Sequence, residues 1–326
     1  LGINEIALAE FNREFMIGGT SENVTGMIAD IELKDGKLIG ITIKKNITDT
    51  NVRILLYNSE SDSINHDNVV VTSDNIFYSQ SKDYIEEHQP GEQITISRED
   101  VLEGEMCVYS KDNGQIQIMS ISKSQGNPYY EGNINIYSSD NGVVIVNELP
   151  IESYLKRVVP SEMPSSFGVE ALKVQTVCAR SYAYAHLESF AYPEYMAHMD
   201  DTVNFQVYNN TVEKPEANEA INATCGKMLY YADQIVTAYY YSTSCGAGTD
   251  VSIWGSNPAS YPYYVSREIT STEQGIDLSD ENSFRSFIKN ENENDYDYGC
   301  KYYRWKNSIK STEINKNLKS MGYSEI

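Results

Sequence analysis

The segment from about Phe167 to Leu187 constrains this chain more than any other. Read as a helix, it is apolar or small on nearly every face. Leu172, Thr176, Ala179 and Ala183 form one face, Val174, Val177, Ser181 and Tyr184 a second, and Ala171, Gln175, Cys178 and Tyr182 a third. A helix with no polar side has no place at a surface, so other elements must enclose it. Ser166 is placed to cap it. Pro150 suits the first position of a shorter helix before it, ending near Val158. A chain of 326 residues is long enough to build the surrounding core.

The enclosing material reads as strand. Ile28 to Ile43 alternates apolar and polar residues about Asp35-Gly36, a hairpin pattern. Val52–Tyr57, Val69–Thr72, Ile94–Ile96 and Ile116–Ile121 are further short strands, with turns at Pro90-Gly91 and Asp112-Asn113-Gly114. Asn133–Tyr137 and Val143–Asn147 form a second hairpin about Asp140-Asn141-Gly142. Val236–Tyr241 reads as a late strand, and a helix is expected around Ile309–Met321. The fold class is therefore α+β. A β-rich N-terminal domain over residues 1–125 precedes a core over 126–326, in which the long buried helix packs on β-strands.

Net charge of −22 excludes nucleic acid as a partner and argues against anionic lipid surfaces. The 26 tyrosines suit carbohydrate-lined clefts, although an AT-rich genome gives the same bias. The five cysteines show no Cys-x-x-Cys pairing, and their odd number leaves at least one free thiol. No apolar run reaches the roughly 18 residues that mark a membrane span. The chain starts at Leu1, as expected of a fragment whose leader or anchor lies upstream.

Between the two helices lies Val158-Val159-Pro160-Ser161-Glu162-Met163-Pro164. Val159 and Met163 give the Glu162 carboxyl apolar neighbours, which disfavour its charged form and would raise its pKa towards that of a general acid. A glutamate before a helix is equally a dipole partner or a solvated residue. Lys173, Gln175 and Arg180 sit inside the apolar helix and need partners. They either snorkel to the surface, pair structurally or face a polar cleft. The small-residue loop Ser242–Thr249 allows close backbone approach to a ligand, or is a plain turn.

Taken together, Asn147 to Tyr184 (NELPIESYLKRVVPSEMPSSFGVEALKVQTVCARSYAY) closely resembles the signature of the SpoIID/LytB family of sporulation and amidase-enhancer proteins. The resemblance continues through Asp201–Tyr208 (DTVNFQVY), Tyr241–Gly246, Trp254-Gly255 and Pro262-Tyr263, spanning roughly residues 129–310. It implies a SpoIID-like catalytic domain, and an extracytoplasmic lytic transglycosylase that acts on peptidoglycan glycan strands, stripped or not of stem peptides. Glu162 would be its acid/base. Lys173, Gln175, Arg180, Tyr263 and Ser242 would line the substrate cleft. One carboxyl suffices for this chemistry, unlike the two of ordinary glycosidases, and no cofactor is implied.

The sequence departs from the family in two places. Metal-binding members carry a C-D-x-x-H-C pattern where this chain has Asp200, Asn204 and Phe205. His198 lies nearby without thiolates and Cys245 stands alone, so no structural zinc is expected. A Gly-rich G-H-G-V-G-M-S-Q segment is absent, which implies truncation or divergence. Two other functions compete with the enzyme. One is a non-catalytic glycan-binding protein that stimulates a cell-wall amidase partner, and the other is a wall-anchoring protein with a vestigial site.

Overall fold

The computed structural model describes residues 29–34, 37–43 and 51–324, apart from 59–62, 188 and 233. Strands β1 (Ala29–Lys34) and β2 (Lys37–Ile43) pair antiparallel as the hairpin pattern predicts; Ile28 and the Asp35-Gly36 turn lie outside the described residues. The chain divides into two compact units, Leu1–Tyr239 and Tyr240–Ile326, and each is described by itself.

In the first unit, β3 (Asn51–Leu56), β4 (Val69–Thr72), β5 (Phe77–Gln80), β6 (Ile85–His88), β7 (Ile94–Ile96), β8 (Met106–Ser110), β9 (Ile116–Ile118), β10 (Tyr129–Tyr130), β11 (Asn133–Ser139), β12 (Gly142–Pro150) and β13 (Met199–Asp200) form two sheets. The larger has the order β13-β3-β12-β11-β8-β5-β6, and the smaller β10-β9-β4-β7. Every pairing is antiparallel except β13 with β3. Five strands, β5, β6, β8, β10 and β13, fall outside the patterns that identified the others. The hairpin β11–β12 was read as the start of a second domain. It pairs with β8 on one side and β3 on the other, so the sheet runs across residue 125. The hairpin turns tightly at Gly142, whose φ of +124° and close approach to the His66 carbonyl leave no room for a side chain.

Helix α1 (Ile151–Glu162) follows β12 without a loop, so Pro150 ends the strand and caps the helix. The helix runs past the expected end at Val158 and includes Pro160. Proline cannot donate to the carbonyl one turn back. Around it, Ser161 Oγ donates to Arg157 O at 2.6 Å and Met163 N to Val159 O at 3.0 Å, and these close the last turn. Ser165–Phe167 is a single 3-10 turn, and Gly168 at φ +90° opens α2 (Val169–His186). The cap is therefore Gly168 and not Ser166. α2 is buried along Leu172, Thr176, Ala179 and Ala183 as expected, but Val174 is 66% exposed, so the helix is enclosed on one side and not all round.

Helix α3 (Pro215–Ala223) completes the layer against α1 and α2, followed by the two-residue strands β14 (Tyr230–Tyr231) and β15 (Gln234–Ile235). Val236–Tyr241, expected as a strand, has no regular secondary structure: Val236 N donates to Leu229 O at 2.9 Å beside the β14–β15 pair, and Tyr239 N turns back to Thr237 O at 3.0 Å. The second unit carries α4 (Glu281–Lys289) and α5 (Ser311–Ser320) among loops joined by isolated bridges. Among the described residues no helix is long and apolar enough to cross a membrane.

One side chain ties the helical layer together. Arg180 of α2 is fully buried and forks onto Glu152 of α1, with Nε–Oε1 at 2.7 Å and Nη2–Oε2 at 2.8 Å. Its remaining donors reach Ile221 O, Thr224 Oγ1 and Lys227 O at 3.2–3.4 Å, at and just beyond the end of α3. A buried guanidinium persists only with this degree of pairing. Arg180→Ala should therefore lower unfolding stability by roughly 3–5 kcal/mol in denaturant titrations. A change under about 0.5 kcal/mol, the scale of surface substitutions, would show that the fork is not a brace.

His198 gives the fold a pH dependence. Its ring stacks on Phe190 at 4.8 Å and its Nδ1 accepts the Arg53 amide at 3.0 Å, so Nε2 holds the proton. Burial, with the Arg53 guanidinium nearby, lowers its pKa to about 4. The unfolded chain binds a proton there at higher pH than the native one does. The stability due to neutral His198 is thus whole above about pH 6.5 and is lost as pH falls towards 4, up to about 3 kcal/mol. Denaturant midpoints measured between pH 7 and pH 4.5 should fall, and His198→Asn should flatten that slope.

Candidate active site

The site is built where the end of α1, the middle of α2 and the segment 200–210 meet. That segment has little regular structure, so side chains hold it. Asp200 Oδ2 accepts the Tyr192 hydroxyl at 2.6 Å, and its Oδ1 accepts the Thr202 amide at 2.8 Å. Asp201 is buried, accepting the Tyr57 amide and the Lys123 ammonium, each at 2.9 Å. Burial raises the Asp201 carboxyl above its ordinary range despite Lys123. Further on, Tyr208 donates its hydroxyl to Asn147 Oδ1 at 3.0 Å and its ring packs 5.0 Å from that of Tyr154.

Gln206 locks the middle of the segment to both helices. Its Oε1 accepts the Tyr154 hydroxyl of α1 at 3.3 Å, and its Nε2 donates to Ala179 O of α2 at 3.2 Å. With Gln206 and Tyr208 anchored, the amide of Val207 between them has a fixed direction. It donates to Glu162 Oε1 at 2.8 Å. Glu162 is thus the last residue of α1 and half-buried, its carboxylate oriented by a backbone donor that is itself held by the core. Such orientation is what a group that moves protons at one atom needs.

An aromatic wall stands beside it. The Tyr182 ring of α2 stacks on His186 at 4.3 Å and meets Tyr239 edge-on at 5.9 Å, while Phe205 meets His186 edge-on at 5.6 Å. Faces of this kind suit the apolar sides of sugar rings.

The residues expected to line a cleft separate. Arg180 turns inward and its donors are matched by the protein, so it serves the fold and does not reach a ligand. Lys173 is paired with Glu170 at 2.7 Å, one turn back on the outer face of α2, and this pairing raises its pKa. Gln175 is buried, and its Nε2 has no hydrogen-bond partner. Ser242 and Tyr263 belong to the second unit. Ser242 is exposed with its hydroxyl 3.3 Å from that of Thr243, and Tyr263 packs on Tyr264 at 4.5 Å. A cavity of about 420 Å³ in that unit lies among Glu268, Ile276, Phe287, Asp295 and Arg304, and contains neither of them.

Residue-by-residue reading of the sequence missed Val207, Gln206 and Tyr182 as site residues. Val207 acts through its backbone, which no side-chain pattern announces. Gln206 lay within the DTVNFQVY match, and Tyr182 was read as one more apolar face of the helix. Of the positions considered for a metal, His198 and Asp200 are engaged within the protein as described. Among the described residues no three of His, Cys, Asp and Glu stand together as metal ligands.

Residues 139–231 match the family model SpoIID, Stage II sporulation protein, which covers α1, α2, Glu162 and the segment 200–210. The chain is 38% identical over 122 residues to a protein named "Amidase enhancer" from Bacillus subtilis (strain 168), covering 37% of this chain and 16% of that protein. It is 35% identical over 115 residues to the Stage II sporulation protein D of the same organism, covering 31% of this chain and 34% of that protein. The corresponding protein of Bacillus amyloliquefaciens is 33% identical over 115 residues, covering 31% of this chain and 33% of its own length. The matches thus span 16–34% of the length of these relatives. Over residues 139–231, the part that holds Glu162, the chain is similar to the SpoIID family.

Proposed function

We propose that this protein is a lytic transglycosylase of peptidoglycan, working outside the cytoplasm in sporulation or cell-wall remodelling, with Glu162 as its single acid/base. The observation that carries the reading is the Glu162 carboxyl at the end of α1, oriented by the Val207 amide. Its place inside the family match gives the orientation a chemical meaning.

The reaction needs one carboxyl used twice. Protonated Glu162 gives its proton to the oxygen between N-acetylmuramic acid and N-acetylglucosamine, and the bond to the anomeric carbon breaks. The carboxylate then takes the proton of the muramyl 6-hydroxyl as that oxygen bonds to the anomeric carbon. The products are a free N-acetylglucosamine end and a 1,6-anhydromuramic end, with no water consumed. A carboxyl held in one direction can serve both steps because the leaving and the attacking oxygen act at the same anomeric carbon. The aromatic wall of Tyr182, His186, Phe205 and Tyr239 would hold the sugar rings.

A second reading is supported by the relative named "Amidase enhancer". The chain would bind glycan and stimulate a cell-wall amidase, an activity independent of Glu162.

Incubation with denuded glycan strands and mass spectrometry of the products separates these readings. Wild-type protein should generate anhydromuramic ends. Glu162→Gln keeps an acceptor for the Val207 amide but cannot carry the proton, and should form them at least about 100-fold more slowly. Absence of such ends with wild type, or equal rates from the variant, overturns the enzyme; amidase stimulation that survives Glu162→Gln establishes the second reading.

A further inference from the structure

Of the six buried tyrosines among the described residues, three give their hydroxyls a fixed partner, and Tyr130, Tyr182 and Tyr195 do not. Tyr154 donates to Gln206, Tyr208 to Asn147, and Tyr303 to Asp295. The half-buried Tyr192 does the same with Asp200. This is how a buried phenol normally avoids the cost of an unpaired polar group. Tyr182 is 7% exposed, and its ring is fixed by His186 on one face and Tyr239 at its edge. Among the described residues its hydroxyl has no hydrogen-bond partner, yet it is not sealed from solvent. In that it differs from the Tyr130 hydroxyl, which is shut in the core.

The surroundings of Tyr182 are those of Glu162. Three consecutive residues bracket the space between them: Phe205 lies against His186, Gln206 holds Ala179, and Val207 holds Glu162. Ala179, Tyr182 and His186 follow one another at helical spacing on one side of α2, so the strap lies along the face that carries Tyr182. Burial, with the charges of Asp200 and Glu162 adding to it, pushes the Tyr182 hydroxyl up to about 12. The phenol therefore stays neutral and can both donate and accept.

We propose that the Tyr182 hydroxyl is a direct substrate contact, hydrogen-bonding the amino sugar whose glycosidic oxygen Glu162 protonates. The inference rests on Glu162 being the acid/base. A neutral phenol pairs with a hydroxyl or an N-acetyl carbonyl, both of which a glycan strand presents on every unit. Bound substrate supplies the partner that the fold withholds, and ring stacking keeps the group in place before it arrives.

Tyr182→Phe tests this with little disturbance, since it keeps the ring and both aromatic contacts. On denuded glycan strands it should lower the rate of anhydromuramic end formation roughly 10- to 100-fold, the cost of one lost hydrogen bond to a reacting ligand. Its thermal midpoint should stay that of the wild type, whereas Tyr182→Ala should lower it. Activity of Tyr182→Phe within about twofold of wild type, while Glu162→Gln is inactive, overturns the contact and leaves the enzyme standing. A drop in activity matched by a fall in thermal midpoint also overturns it, because the hydroxyl would then serve the fold. If wild type and Glu162→Gln are equally inactive, the proposed reaction itself has failed.

Discussion

The Arg180–Glu152 fork is the interaction on which the helical layer depends. Nothing apolar can anchor three helices at one atom group, but a guanidinium presents five donors in a plane, and here, projecting from α2, they meet α1 and the chain at and beyond the end of α3. The desolvation cost of burying it is offset only because every direction is matched. The consequence reaches the active site indirectly. With α1 and α2 locked at Glu152 and Arg180, the end of α1 stands at a fixed distance from the middle of α2, and Gln206 can bridge Tyr154 and Ala179.

A strap of little regular structure then completes the site. Secondary structure does not hold residues 200–210 in place. Asp200, Asp201, Gln206 and Tyr208 do so, each with a partner on a different element. The Val207 amide is what this arrangement delivers, and it is aimed at Glu162. The family signature therefore has two kinds of residue in it. Asn147, Glu152, Tyr154, Arg180 and Gln206 set the frame, while Glu162 and Tyr182 are the residues proposed to meet substrate.

Much of this was legible beforehand. The apolar stripe of α2, the hairpin about Asp140-Asn141 and the β-rich start follow from local pattern, because side-chain period maps directly onto secondary structure. Helix ends were less legible. Pro160 stops a helix on average, and only the compensating bonds of Ser161 and Met163 carried this one on to Glu162. Strands β5, β6 and β8 escaped because they are short and bear polar residues such as Ser79, Gln80 and Glu86, whose strand form depends on neighbours far away in sequence. The expected strand over Val236–Tyr241 did not form, because the backbone turns back on itself at Tyr239 N to Thr237 O.

The sequence by itself determined that Glu162 sits within an extended motif and that the fold mixes helices with antiparallel strands. Those conclusions rest on residue types at fixed spacing. Only the tertiary structure decided which polar residues of α2 serve the fold. Arg180 and Tyr182 are two residues apart on one helix, and no periodicity distinguishes an inward fork from an unpaired hydroxyl. That difference is made by Glu152, 28 positions upstream, and by the chain beyond Ile221, and both become neighbours only when the helices pack.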